Sequence, residues 1–378
     1  MTPSGPTLAF VESPVQLLNV LEWIHARAAA PADGRPLLDG VPSQVRSAGP
    51  VRIVVLPPTD PMSRGQLRRM AALARDEGHE VRWQEARGGR LAPLKALAAL
   101  AGDVRAAHTV VVGDPFSRYV QLLLTLVRAE RLVVVDDGTA TMEFIAQTAR
   151  GERLVRWHRV GGGGLAGRVR ELAYAPVSAT ARRRFTAAEA TGTKAARHVE
   201  VFTSMPVTAH GAMTLRINDF AWTRARFGPP RLTKGTDLVG TSLVETGVVD
   251  PACYLDAVRT LTRVHGATRY FAHRRESPEK LRTLSEATGL EIVRPDLPLE
   301  LIARRGPVGR TIVSFPSTVV HTLPYALTGT GVTVAVCDID PDWLTGSASP
   351  RARGFLAGVT DSARDVRRLP AQAAPAAG

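Results

Sequence analysis

Two adjacent acidic residues directly follow a strongly apolar segment in RLVVVDDGTATMEF (131–144). The run from Leu132 to Val135 predicts a strand buried on both faces, which is typical of parallel sheets. Asp136 and Asp137 would then lie at the carboxyl end of that strand, where open α/β sheets bind ligands. A carboxylate there can take a proton from a substrate hydroxyl, or it can simply cap the next helix.

Further polar residues follow the other strands that we predict in the first half of the chain. TLAFVESP predicts a strand over 7–11, with Ser13 and Pro14 starting a helix. HTVVVGDP predicts a strand that ends before Asp114. Gly138 allows a turn after the acidic pair and a close approach of a substrate or another backbone. The first half therefore predicts an edge that offers carboxylates.

Hydrogen-bond donors prevail at the strand ends predicted in the second half. The residues with donor groups are Thr241, Ser242, His273, Arg274, Arg275, Ser314, Ser317 and Thr318, and Glu300 adds a carboxylate beyond Pro298. Arginine, histidine and hydroxyl groups suit a phosphate, and a helix that begins near Thr318 favours an anion at its amino end. Structural alternatives remain, because Ser317 and Thr318 can cap that helix and a lone histidine at a strand end is often structural. We expect a nucleotide in this half and a base in the other.

The elements that must position these residues alternate as strand and helix in two series. This alternation predicts an α/β fold with two doubly wound Rossmann-type domains. Two such domains facing each other across a cleft make the GT-B architecture. We predict a first domain over 1–207, a linker over 208–235, a second domain over 236–366 and a disordered tail over 367–378. Within the first domain, the glycines at 161–164 predict a flexible loop.

Charge and composition narrow the possible partners. The chain has 378 residues and a formal net charge of +13, which favours anionic partners such as a nucleotide, an acidic glycan or a membrane surface. No zinc-finger, basic-heptad or RNA-binding pattern supports nucleic acid. Cys253 and Cys337 have no disulfide or metal spacing, and no apolar run approaches a membrane span. We expect a cytoplasmic protein, and its positive charge is compatible with peripheral contact at the inner face of the membrane.

Several of these segments resemble bacterial sialyltransferases of the lipooligosaccharide sialyltransferase and capsular polysialyltransferase families. VVVDDG is similar to their acidic pair followed by glycine, YFAHRRESPEKL to their His-Pro motif, and SFPSTVVHTLPYAL to their later serine pair. The resemblance covers most of the chain outside 29–50 and 150–196. One departure is Arg274, which stands where these families usually have proline, and it bears on the identity of the donor.

The resemblance implies an inverting transferase that uses CMP-sialic acid and a glycan acceptor, which the basic excess suggests is acidic. Asp136 would be the general base, with Asp137 in a supporting role. His273 would donate to the phosphate of CMP as an acid or as a stabiliser of the leaving group. Ser317 and Thr318 would bind the same phosphate, and Glu300 the ribose. No metal or other cofactor is implied.

Two other functions are compatible with the same residues. A GT-B transferase with a different nucleotide sugar would keep the fold and bind uridine or guanosine nucleotides. A non-catalytic glycan-binding relative would keep the fold and lose the chemistry, although the intact acidic pair argues against it. The acceptor, the linkage and the oligomeric state are left open by these residues.

Overall fold

A computed structural model describes residues 5–29, 50–87, 89, 92–156, 164–186 and 197–371. The chain divides into two compact units, Met1–Trp222 and Thr223–Gly378. Each unit is built on one parallel sheet with helical connections, which confirms the predicted α/β class with two Rossmann-type domains.

The first unit contains a seven-stranded sheet in the order β3-β2-β1-β4-β5-β6-β7. Its elements are β1 (Thr7–Val11), α1 (Pro14–Ala29), β2 (Arg52–Val55), α2 (Pro61–Asp76), β3 (Glu80–Trp83), α3 (Ala92–Ala106), β4 (Thr109–Val112), α4 (Arg118–Leu124), β5 (Arg131–Val135), α5 (Thr139–Ala149), α6 (Gly164–Arg184), β6 (His198–Thr203) and β7 (Thr214–Ile217). The order reverses between β1 and β4, so a ligand crevice is expected beside the carboxyl ends of these two strands.

The second unit contains a six-stranded sheet in the order β10-β9-β8-β11-β12-β13. Its elements are α7 (Ala221–Arg226, which spans the unit boundary), β8 (Leu232–Val239), α8 (Pro251–His265), β9 (Ala267–Phe271), α9 (Pro278–Thr288), β10 (Glu291–Val293), α10 (Leu299–Arg305), β11 (Val308–Ser314), α11 (Val319–Ala326), β12 (Thr333–Cys337), α12 (Pro350–Ser362) and β13 (Arg367–Leu369). Here the order reverses between β8 and β11.

Local sequence explains why many of these elements begin where they do. Five of the described α-helices start at a proline that directly follows a capping side chain, namely Ser13, Asp60, Asp250, Ser277 or Ser349. Proline has no N–H to leave unpaired at that position, and the cap satisfies a free N–H of the first turn. The central strands are continuous apolar runs: Val110–Val112 and Leu132–Val135 are buried on both faces of the first sheet.

The structure places two boundaries differently from the prediction. The first compact unit extends to Trp222, because β7 lies inside the predicted linker and pairs with β6. The predicted tail begins with β13, which pairs with β12; residues 372–378 lie outside the described residues. Of the predicted loop at 161–164, Gly164 is the first residue of α6, and 161–163 lie outside the described residues. Both missed strands are short sheet edges in which Leu369 is the one buried residue, so they have little apolar signal.

Candidate functional site

Asp136 follows β5 and is enclosed by its own unit. Its Oδ1 accepts hydrogen bonds from Gly138 N at 2.9 Å and Thr141 Oγ1 at 2.8 Å. Its Oδ2 accepts from the backbone N and the hydroxyl of Ser204, at 3.2 and 3.0 Å. The residue is 2% exposed, and burial raises the pKa of its carboxyl while the Thr141 and Ser204 bonds lower it. Both oxygens are therefore occupied in holding β5 to α5 and to the end of β6.

Asp137 is the more accessible member of the pair, with 21% of its side chain exposed. Its Oδ2 lies 3.0 Å from Arg156 Nη2, which also lies 2.9 Å from Oδ2 of Asp114. Asp114 follows β4 and also accepts a hydrogen bond from Phe116 N at 2.9 Å. Because β4 and β5 are neighbours, Arg156 links the acidic residues of two adjacent strand ends.

Glu12 adds a third carboxylate at this edge, after β1. Ser117 Oγ donates to its Oε1 at 2.7 Å, and Arg87 Nη2 lies 2.9 Å from the same oxygen. Burial is the largest cause of a raised pKa at Glu12, opposed by the charge of Arg87 and reinforced by that of Asp114. The reversal of strand order between β1 and β4 thus brings Glu12 and Asp114 to one place.

Ser13, Pro14 and Gly138 shape the backbone at this edge. Ser13 Oγ accepts from Gln16 N at 3.2 Å, and Pro14 is buried as the first residue of α1. Gly138 precedes α5 at a φ of 64°, which glycine adopts without strain. Each of the three residues thus forms part of a turn or a helix start, which is the structural alternative to ligand binding.

His273 follows β9 in the second unit and is fixed by its backbone. Its N–H donates to Glu276 Oε2 at 2.6 Å, while Glu276 Oε1 accepts from the Tyr270 hydroxyl at 2.6 Å and lies 2.8 Å from Lys280 Nζ. Tyr270 also shares a hydrogen bond of 2.7 Å with the hydroxyl of Tyr254. This buried network holds the turn that carries the imidazole.

The imidazole itself is a neutral hydrogen-bond donor. Nδ1 of His273 accepts from the backbone N of Arg275 at 3.2 Å, so the neutral ring carries its proton on Nε2. Burial and then the charges of Arg274, Arg275 and Lys280 lower the pKa of His273 to about 4. Of the two predicted roles, stabilisation of a leaving group by donation fits this state better than proton transfer from a charged ring.

The amino end of α11 has no side-chain cap. Thr318 is the residue before its first turn and makes no side-chain capping bond, and both Ser317 and Thr318 are half-buried. Ser317 Oγ lies 3.2 Å from Ser314 Oγ, which donates instead to the Phe315 carbonyl at 2.7 Å. The simple capping alternative is therefore wrong for Thr318, and this end remains suited to an anion. Ser314, 1% exposed, shapes the turn before it.

Glu300 is in the first turn of α10, after the buried Pro298. It is 5% exposed, and its Oε1 accepts from the Thr322 hydroxyl at 2.6 Å. The observed contact fastens α10 to α11, beside the uncapped helix end. Binding of a ribose by Glu300 stays a prediction.

Thr241 and Ser242 continue from β8 at the strand-order reversal. Thr241 is 4% exposed, its Oγ1 accepts from Leu243 N at 3.2 Å, and its carbonyl accepts from Lys280 Nζ at 3.2 Å. Ser242 is half-buried and its carbonyl accepts from Thr246 N at 2.9 Å. Arg274 and Arg275 are exposed neighbours of His273 in the same turn.

The two carboxyl edges differ in chemistry. The first unit presents Glu12, Asp114 and Asp137 in pairs with arginines, an arrangement that can accept a proton. The second presents an imidazole N–H, hydroxyls and an uncapped helix end, which suit a phosphate. Within the described residues no group of three or more His, Cys, Asp or Glu is placed to hold a metal ion. Nor does any described helix have the length and apolarity to cross a membrane.

Several residues of these edges were missed from the sequence. Glu12 directly precedes Ser13 at a predicted strand end, so its position was a usable signal. Glu276 and Lys280 lie in YFAHRRESPEKL, which had been singled out only for His273 and its arginines. Arg87 and Arg156 carry no local signal, because only the folded chain brings them to the carboxylates.

No protein-family model matches the chain, and no curated protein matches it. Among solved structures, it is similar to an alpha/beta-galactoside alpha-2,3-sialyltransferase from Photobacterium phosphoreum, with 9% identity, a TM-score of 0.49, and coverage of 97% of this chain and 99% of that one. It is also similar to the E. coli heptosyltransferase WaaC, with 11% identity, a TM-score of 0.39, and coverage of 91% of this chain and 91% of that one. A third similar structure is MurG of Acinetobacter baumannii, with 10% identity, a TM-score of 0.39, and coverage of 97% of this chain and 86% of that one. Identities and TM-scores this low leave the activity to be inferred from the chain's own residues.

Proposed function

We propose that this chain is an inverting glycosyltransferase that transfers sialic acid from CMP-sialic acid to a hydroxyl of a glycan acceptor. The observation that carries the proposal is the contrast between the two carboxyl edges. A carboxylate, Asp137, is accessible at one, and an uncapped helix start with Ser317 and Thr318 is available at the other. The choice of CMP-sialic acid as donor rests on the resemblance of VVVDDG, YFAHRRESPEKL and SFPSTVVHTLPYAL to bacterial sialyltransferases.

In this proposal Asp137 replaces Asp136 as the general base. It takes the proton of the acceptor hydroxyl as that oxygen forms a bond to the anomeric carbon, while the bond from that carbon to the CMP phosphate breaks. A base must reach the proton that it accepts, and Asp136 is enclosed by four hydrogen bonds. Attack from the side opposite CMP inverts the anomeric centre through an oxocarbenium-like state.

The second unit stabilises the departing phosphate. His273 offers its Nε2–H, and the backbone N–H groups at the start of α11 point their dipoles at an anion. Arg274 adds a positive charge in place of the proline of the similar families. We propose that these donors take the place of a metal ion, and that Glu300 and Thr322 hold the adjacent helices while binding the ribose.

We also propose a peripheral contact with an anionic membrane on the cytoplasmic side. Five arginines lie where β5 and β6 begin, at the edge opposite the carboxylates; we call this set the basic edge. It consists of Arg128, Arg131, Arg183, Arg184 and Arg197. Burial lowers the pKa of Arg184, and the charges of Arg197, Arg128 and Arg183 lower it further, so these guanidinium groups are near one another. Such clusters attract anionic lipid.

Thermal unfolding with CMP, UDP and GDP tests the donor site. CMP should raise the melting temperature, since a ligand present at 100 times its Kd adds about 2.7 kcal/mol to the stability of the form that binds it. Thr318→Asp should abolish this shift, because its carboxylate occupies the uncapped start of α11 and repels the phosphate. Thr318→Asn is the matched control: it has the same shape without the charge and should keep most of the shift.

Each alternative has its own result. Stabilisation by UDP or GDP and not by CMP would refute CMP-sialic acid as donor. Stabilisation by none of the three would refute nucleotide-dependent transfer. A CMP shift that survives Thr318→Asp would show that the phosphate binds elsewhere.

A further inference from the structure

A pocket in the first unit adjoins the proposed base and belongs to none of the predicted site residues. It lies between the start of α4, the segment 153–156 and α6. Arg118, Arg153, Arg156, Phe116 and Tyr174 line it. We call it the arginine pocket.

The described lining is basic. Three of its residues carry a guanidinium group and none of the described ones carries a carboxylate. Arg156 uses Nη2 for Asp114 and Asp137, and a guanidinium carries five N–H donors in all. Arg153 is exposed and has no acidic partner among the described residues, so it brings a positive charge to the pocket that no described carboxylate neutralises.

Aromatic rings complete the wall. The guanidinium of Arg118 lies 5.3 Å from the ring centre of Tyr174, and that of Arg156 lies 5.8 Å from the ring centre of Phe116. The Tyr174 hydroxyl donates to the carbonyl of Arg118 at 2.6 Å, which fixes the ring against α4. These contacts hold the two guanidinium groups in place over the rings.

The wall that carries Arg153 and Arg156 is held from beneath. Gln121 Nε2 donates to the carbonyls of Leu154 and Pro115 at 2.9 and 3.0 Å, and the Ser178 hydroxyl donates to Leu154 at 3.5 Å. Gln121 is 2% exposed and Ser178 4% exposed. Buried polar side chains thus hold the backbone between the two arginines, so the pocket is formed before any ligand binds.

We propose that the arginine pocket binds an anionic group, a carboxylate or a phosphate, on the glycan acceptor, and so makes the protein selective for acidic saccharides. Guanidinium groups pair with both anions through two parallel hydrogen bonds. Arg156 contacts Asp137 Oδ2 at 3.0 Å and also lines the pocket, which places the bound anion one side chain from the proposed base. This assignment of the acceptor class rests on the proposed function.

Equilibrium binding of matched saccharides to the full chain tests the pocket without requiring turnover. Digalacturonic acid is compared with galactobiose, and galactose 6-phosphate with galactose, by calorimetry in saturating CMP so that the nucleotide site is filled. The acidic form of at least one pair should bind at least about tenfold more tightly, and added salt should reduce this preference. The two pairs distinguish carboxylate from phosphate.

Variants then locate the site. Arg153→Gln should weaken binding of the preferred acid about tenfold, the loss expected for one charge-assisted hydrogen bond, and leave the neutral partner unchanged. Arg105→Gln is the matched control, since Arg105 is an exposed arginine of α3 in the same unit and makes the same charge change. Both arginines are exposed, so both variants should melt like the parent chain.

Equal binding of acidic and neutral saccharides would overturn the proposal, as would an equal loss in Arg105→Gln and Arg153→Gln. Acid-selective binding that depends on Arg153, in a protein that releases no CMP from CMP-sialic acid, would support the pocket and refute the transferase. Equal transfer to neutral and acidic acceptors would support the transferase and refute the selectivity of the pocket.

Discussion

Two neighbouring aspartates have different environments because strand residues alternate in direction. Asp136 turns inward and accepts four hydrogen bonds, whereas Asp137 turns toward the edge and meets Arg156. The sequence predicted an acidic pair at the carboxyl end of this strand. It did not predict which one faces Ser204, since that residue lies 68 positions away in the chain. Because Asp136 is enclosed, we propose that the role of base, which the resemblance assigns to Asp136, belongs to Asp137.

Substitution of each aspartate by asparagine should separate the roles. Asp137→Asn should lower kcat for transfer by about 10²–10⁴-fold, the range for loss of a general base, and keep both the melting temperature and the CMP shift. Asp136→Asn should lower stability by about 1–3 kcal/mol, because an amide N–H₂ would face hydrogen-bond donors in a buried site. Release of CMP from CMP-sialic acid, with lactose and digalacturonic acid as acceptors, measures the first effect, and thermal unfolding the second.

Asp76→Asn serves as the control for this pair, because Asp76 is exposed at the end of α2. Asp76→Asn should change neither kcat for transfer nor the melting temperature. Full transfer activity in Asp137→Asn would refute the revised base. So would a loss of activity in Asp136→Asn with an unchanged melting temperature.

At the level of elements, the turn between β9 and α9 is packed against the end of β8. A Cβ added to Gly240 would contact Glu276 Oε2 and would lie 2.6 Å from the Tyr270 hydroxyl. Glu276 is 3% exposed and Tyr270 fully buried, so neither has room to withdraw. Glycine at this position therefore allows the network that holds the backbone of His273.

Gly240→Ala should destabilise the second unit by about 1–3 kcal/mol, the usual penalty of overpacking a core. It should also weaken the CMP shift, because Glu276 can no longer hold the His273 backbone in place. Gly358→Ala is a control in α12, where an added Cβ has no neighbour within 4 Å and should stabilise the helix by about 1 kcal/mol. Denaturant unfolding measures both changes; equal effects of the two variants would contradict the packing argument.

Prediction of the elements succeeded where local signals are complete. The predicted strand over 7–11 and the helix start at Ser13 and Pro14 are both confirmed by β1 and α1. The edge strands β7 and β13 failed for the opposite reason. Apart from the buried Leu369, their residues are exposed or half-exposed, and only their pairing with β6 and β12 identifies them as strands.

On the scale of the whole molecule, charge is distributed unevenly over the first unit. Its carboxylates lie at the carboxyl edge of the sheet, whereas the basic edge lies where β5 and β6 begin. Arg197 Nη1 donates to the carbonyl of Arg183 at 2.8 Å, and this bond connects the residue before β6 to the end of α6. The formal net charge of +13 is thus concentrated in part on a surface away from the proposed base.

Vesicles of phosphatidylcholine with and without phosphatidylserine test the basic edge. The protein should sediment with the anionic vesicles, and Arg128→Gln with Arg183→Gln should weaken this binding by about 1 kcal/mol for each arginine. A chain with Arg68→Gln and Arg263→Gln, which are exposed arginines of α2 and α8, loses the same charge and should bind as before. Equal loss in both double variants would show that only net charge matters and would refute a defined membrane surface.

The sequence by itself determined the two series of strands and helices, the carboxyl ends at which polar residues gather, and the contrast between a carboxylate-bearing half and a donor-bearing half. These features depend on apolar periodicity, helix caps and turns, which are local. Only the tertiary structure decided which aspartate is enclosed, how Arg87 and Arg156 reach the carboxylates, and that Glu276 supports His273. Each of these depends on contacts between distant segments, and no local pattern records which distant side chain will fill a given space.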